Sequence, residues 1–104
     1  MNNSANDLKI AFFGTPEFAV TILETLKARG IVPNLVITNP DRPKGRKLVL
    51  TPPPVKVWAE KEIQAGTNIK IVQPETLRGA GGAEFFQALK KERWDIFIVA
   101  AYGS

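Results

Sequence analysis

Residues 8–19 read Leu-Lys-Ile-Ala-Phe-Phe-Gly-Thr-Pro-Glu-Phe-Ala, and their reading decides the fold. Ile10, Ala11, Phe12 and Phe13 form an unbroken apolar run closed by Gly14. A short run without polar alternation fits a strand buried on both faces, as in parallel sheets. Helix-start signals follow at once. Thr15 can cap a helix, Pro16 suits its first position, where a missing N–H costs nothing, and Glu17 complements the helix dipole. Phe18, Ile22 and Leu26 recur at four-residue spacing with Leu23 beside them, which predicts an inward stripe on a helix over residues 16–29. Gly30 supplies its stop. A strand that runs straight into a helix puts its carboxyl end where open α/β sheets bind ligands.

Working outward, Leu35-Val-Ile-Thr38 predicts a second strand, and residues 54–65 a second helix with Val55, Trp58, Ala59 and Ile63 on one face. Ile69-Lys-Ile-Val72 reads as a third strand. Leu77 and Arg78 suggest a turn, and Gly79-Ala-Gly-Gly82 a flexible break. Residues 83–92 read as a third helix with Phe85, Phe86 and Leu89 inward, and residues 96–101 as a fourth, wholly apolar strand. Trp58 and Trp94 lie within amphipathic elements and read as packing residues. Strands alternating with helices predict an α/β fold: a Rossmann-like, doubly wound parallel sheet of four strands in the order 3-2-1-4. The expected organisation is a disordered tail over residues 1–7 and one partial domain over residues 8–104. A basic loop over residues 39–53 is inserted after the second strand. The fourth strand is expected to leave an uncovered apolar edge through which the chain can self-associate, as the front part of a larger domain would.

The bulk properties narrow the function. At 104 residues and 44% hydrophobic content the chain suits one globular domain or part of one. No apolar run approaches the roughly 20 residues of a membrane helix, and residues 1–7 carry no signal-peptide core. The absence of cysteine excludes disulfides, thiolate nucleophiles and Cys-based zinc sites, and is compatible with a reducing cytoplasm. There is no histidine either. The net charge of +4 is concentrated in one place. Between Asn39 and Lys56 stand Arg42, Lys44, Arg46, Lys47 and Lys56 against the single acid Asp41, while the remaining charges cancel. A basic, proline-rich loop at the ligand end of a sheet suits a phosphate-rich partner, with a merely solubilising loop as the plain alternative.

Five motifs now stand in order: Phe13-Gly-Thr-Pro-Glu-Phe-Ala19; Asn39-Pro-Asp-Arg-Pro43; Thr51-Pro-Pro-Pro-Val-Lys56; Val72-Gln-Pro-Glu75 with Leu77-Arg78; and Val99-Ala-Ala-Tyr-Gly103. At these spacings, over about residues 8–103, the chain resembles the N-terminal third of the methionyl-tRNA formyltransferase family. The resemblance implies a formyltransferase-fold domain of a cytoplasmic bacterial enzyme of translation initiation. That enzyme passes a formyl group from 10-formyltetrahydrofolate to the methionine amino group of initiator methionyl-tRNA, without a metal or a membrane, and is expected to be a monomer. The family's catalytic Asn and His follow the Tyr-Gly turn, and its Asp comes later still. No catalytic residue is therefore assigned here, and the stretch alone is expected to be inactive. The resemblance assigns substrate binding to Gly14, Thr15, Arg42, Lys44, Arg46 and Lys47, and folate binding to Tyr102 and Gly103. The family tends to have Gly-Arg-Gly-Lys-Lys where Gly45-Arg-Lys-Leu-Val49 stands here, so the positive charge moves toward the loop's beginning.

Other readings are weaker. A glycinamide ribonucleotide formyltransferase would carry a Gly-Ser-Asn phosphate loop after the first strand, and sugar-nucleotide formyltransferases lack this long basic loop. A dinucleotide-binding oxidoreductase domain would need G-x-G-x-x-G where Gly14-Thr-Pro-Glu-Phe18 stands. A non-enzymatic RNA-binding module fits the basic loop alone.

Overall fold

In the computed structural model, which describes residues 8–14, 17–74 and 79–100, strands and helices alternate along most of the chain. The order is β1 (Ile10–Gly14), α1 (Glu17–Ala28), β2 (Leu35–Ile37), β3 (Arg42–Lys44), β4 (Val49–Thr51), α2 (Pro54–Gln64), β5 (Lys70–Val72), α3 (Gly79–Lys90) and β6 (Ile96–Ala100). β5, β2, β1 and β6 form a parallel sheet in that order. This is the predicted 3-2-1-4 arrangement. The tail at residues 1–7, the cap at Thr15, the turn at Leu77 and Arg78, and the Tyr102-Gly103 turn lie outside the described residues.

The period-two alternation of strand side chains builds two cores. Phe12 and Val36 face α1 and α2 and pack with Ala19, Leu23, Val55, Trp58 and Ala59. Ala11, Phe13, Leu35 and Ile37 face the opposite side and pack with Leu89, Phe85 and Trp94. Helices thus cover both faces, and β1, the strand read first, is buried at all five positions.

Several expectations need correction. Phe86, expected inward, is 39% exposed although its ring stacks on Phe13. Phe18 is 62% exposed; Ala19 takes its place beside Leu23 on the inward face of α1, with Ile22 and Leu26 packed against the core as expected. The reason is close approach: a Cβ on Gly14 would come within 2.8 Å of the Ala19 Cβ, so only a small side chain fits at the contact. Ile63 is 40% exposed, and its neighbour Glu62 is buried, because Lys27 Nζ meets the Glu62 carboxylate at 2.6 Å. The glycine-rich stretch at residues 79–82 is not a break but the first turn of α3. Gly82 is buried, and packing outweighs the low helix propensity of glycine. The Trp58 indole N–H donates to Glu24 at 2.7 Å, and that of Trp94 to the Leu89 carbonyl at 3.0 Å, as suits packing residues.

The two ends of the sheet differ. At the amino end, polar groups lock the strand starts together. Asn34 Oδ1 accepts from the Ile10 amide at 2.8 Å, and the Asn34 backbone bridges β1 and β5. The Lys9 amide donates to Asp95 Oδ2 at 2.7 Å, and the Asp95 amide donates to the Lys9 carbonyl at 2.8 Å. The carboxyl end carries Gly14, Thr38 and Gln73 together with the basic segment.

Candidate functional site

The basic segment was expected to be a loop. It is a two-stranded antiparallel hairpin in which Arg42 pairs with Thr51, Pro43 with Leu50, and Lys44 with Val49. Gly45 and Leu48, both at positive φ, shape its turn. Glycine adopts that region freely, whereas Leu48 does so at φ 50° against the preference of a side chain with a Cβ. Every residue from 42 to 50 is exposed. Among the described residues, the side chains of Arg42, Lys44, Arg46 and Lys47 make no hydrogen bond or ion pair. The fifth cation of the segment is spoken for: Lys56 Nζ sits 3.1 Å from Asp41 Oδ1. Four solvated cations therefore converge on one exposed arm at the ligand end of the sheet, where they attract polyanions at long range.

Cross-strand register sorts the hairpin into two faces. Lys44 and Thr51 line a trough of about 630 Å³ against α1 and α2, so Arg42 and Val49 share that side. Pro43 and Leu50 face the other way. The trough is also lined by Glu17, Glu24 and Lys61, so its floor is of mixed charge. Leu48, Val49 and Leu50 are each at least 60% exposed, an apolar edge beside the cations.

The root of the hairpin holds the group that sequence reasoning missed. Asp41 accepts from Gln73 Nε2 at 2.7 Å and from Lys56 Nζ. The Gln73 hydrogen bond first, and then that of Lys56, hold the Asp41 carboxyl below its ordinary pKa. The available signal was the solitary acid among five bases.

Of the predicted site residues, the structure brings Arg42, Lys44, Arg46 and Lys47 together on the hairpin. Thr15, Tyr102 and Gly103 lie outside the described residues. Gly14 ends β1, but the space over it is filled by its own chain. An added Cβ would stand 2.7 Å from the Phe12 ring and 3.1 Å from the Ala100 carbonyl. Close strand–helix packing thus gives Gly14 a reason to lack a side chain. Among the described residues no group of three or more His, Cys, Asp or Glu side chains is placed to hold a metal ion. None of their helices is long and apolar enough to cross a membrane.

The chain is 45% identical over 97 residues to a methionyl-tRNA formyltransferase of Caldicellulosiruptor saccharolyticus, a match covering 92% of the chain. Over this stretch the chain is homologous to methionyl-tRNA formyltransferases. The methionyl-tRNA formyltransferase of Neisseria meningitidis serogroup C is 46% identical over 96 residues, and that of Bacillus pumilus 46% over 95 residues. The chain spans 29% of the length of the first two methionyl-tRNA formyltransferases and 27% of the third. No protein-family model matches it.

Proposed function

We propose that this chain forms the part of a methionyl-tRNA formyltransferase that grips the acceptor end of initiator methionyl-tRNA. The observation that carries the reading is the exposed hairpin with its four unpaired cations, set at the carboxyl end of a parallel sheet. Arg42 offers a planar fork for bidentate or stacking contacts, while Lys44, Arg46 and Lys47 serve phosphates. The reaction proposed for the whole enzyme is formyl transfer from 10-formyltetrahydrofolate. The neutral methionine amine attacks the formyl carbon, a C–N bond forms, and the bond to the folate nitrogen breaks. Such a step needs a donor for the developing oxyanion and a group to move protons. The chain has no histidine, and no catalytic residue is assigned to it, so the stretch alone is expected to be inactive. Thr15 and Gly14 are proposed to border the aminoacyl end, and Tyr102 and Gly103 the folate. The proposed compartment is the bacterial cytoplasm.

The test uses a full-length relative carrying residues 8–100 of this chain in place of its own. Arg42→Ala is expected to raise the tRNA KM about tenfold, the scale of losing one specific Arg contact, with the folate KM unchanged. An unchanged tRNA KM overturns the reading.

A further inference from the structure

The hairpin's cations project from strands that own no core, since residues 42–50 are all exposed. A lone two-stranded hairpin is marginal in water, so its direction is set where it leaves the sheet. There one carboxylate gathers contacts from two other elements. Lys56 Nζ, in the first turn of α2, lies 3.1 Å from both Asp41 oxygens. Gln73, directly after β5, uses its amide nitrogen twice: it donates to Asp41 Oδ1 at 2.7 Å and to the Asn39 carbonyl at 3.0 Å. The Asp41 and Lys56 side chains are 25% and 20% exposed, which shields the pair from much of the solvent. Residues 39 and 41 flank Pro40, whose ring restricts φ, and the other root runs through Pro52, Pro53 and Pro54 into α2. Both roots are therefore stiff.

We propose that Asp41, Lys56 and Gln73 are positioning residues: a polar clamp that ties the hairpin's root to α2 and β5 and so aims Arg42 and the neighbouring cations at RNA. The inference rests on the reading of the hairpin as an RNA grip. An acid inside a polyanion-binding segment weakens its long-range attraction. Its place here is explained by orientation, because less freedom is then lost when the arm is ordered on RNA.

The test measures the Kd of the chain for a labelled acceptor-stem duplex by fluorescence anisotropy, alongside hydrogen exchange of the hairpin amides and the thermal midpoint. Lys56→Met is expected to weaken binding roughly three- to tenfold, the scale of a partly shielded charge-assisted contact. Exchange at residues 42–51 should quicken by a similar factor while the thermal midpoint stays put. Gln73→Ala carries the same expectation without changing charge. Lys56→Arg should restore both readouts. In the Arg42→Ala/Lys56→Met double variant, Arg42→Ala should cost less than it does in the parent chain, because a misdirected hairpin no longer presents Arg42. Strictly additive losses, or unchanged hairpin exchange in both Lys56→Met and Gln73→Ala, overturn the clamp. If Arg42→Ala alone leaves Kd unchanged, it is the RNA-grip reading that fails, and the exchange data still judge the clamp.

Discussion

The parallel sheet and the hairpin are held by opposite kinds of physics. β1 buries every residue between helices on both faces, and its partners are apolar side chains. The hairpin buries none of residues 42–50, and its position comes from a carboxylate, an amide, an ammonium group and a run of prolines at its roots. A change of volume in the sheet is felt by close-packed neighbours, whereas a change on the exposed hairpin meets mainly solvent. On the proposed reading of the hairpin as an RNA grip, stability and recognition reside in separate residues, so each can be lost without the other.

That separation can be broken in order of effect. Leu23→Ala removes a fully buried side chain from the core under α1 and is expected to cost about 2–5 kcal/mol in urea denaturation, enough to threaten the fold of so small a chain. A loss under about 1 kcal/mol would show that the sheet side is as loosely built as the arm. Gly14→Ala forces a Cβ to within 2.7 Å of the Phe12 ring and is expected to cost about 1–3 kcal/mol by the same measurement. Leu48→Gly should have the smallest effect and the opposite sign. It relieves a left-handed conformation at an exposed turn and should stabilise the hairpin by at most about 1 kcal/mol, read as slower amide exchange there. A destabilised hairpin would mean that the Leu48 side chain packs to some purpose.

The course of the sheet was readable because its signals are local and agree with each other. A continuous apolar run, a closing glycine and a helix start say the same thing over residues 8–19. Helix faces were less readable, because they depend on what the helix meets. Phe18 yields the core position to Ala19, which sits where Gly14 lets strand and helix approach closely. Glu62 enters the core boundary only because Lys27, 35 residues away, supplies the counter-charge. The hairpin was hidden by its prolines and lysines, which blunt exposed strands and weaken the usual strand pattern. The cations themselves were plain from charge placement, while the Asp41 contacts join residues 15 and 32 apart and have no short-range signature.

The pairing of Lys9 with Asp95 bears on how β6 finds its place. Ile96, Phe97, Ile98 and Val99 offer little to distinguish one alignment along β1 from the next, and Phe97 and Val99 are mostly exposed. A slide by a single step would exchange inner and outer side chains and part Phe97 from Phe13 and Trp94, whose rings it meets at 6.2 and 6.3 Å. The reciprocal amide bonds between Lys9 and Asp95 mark the zero of the scale, and the Lys9 ammonium, 2.8 Å from Glu92, holds the mark in place. A repetitive greasy strand is thereby told where to begin by two charged residues that never enter the interior.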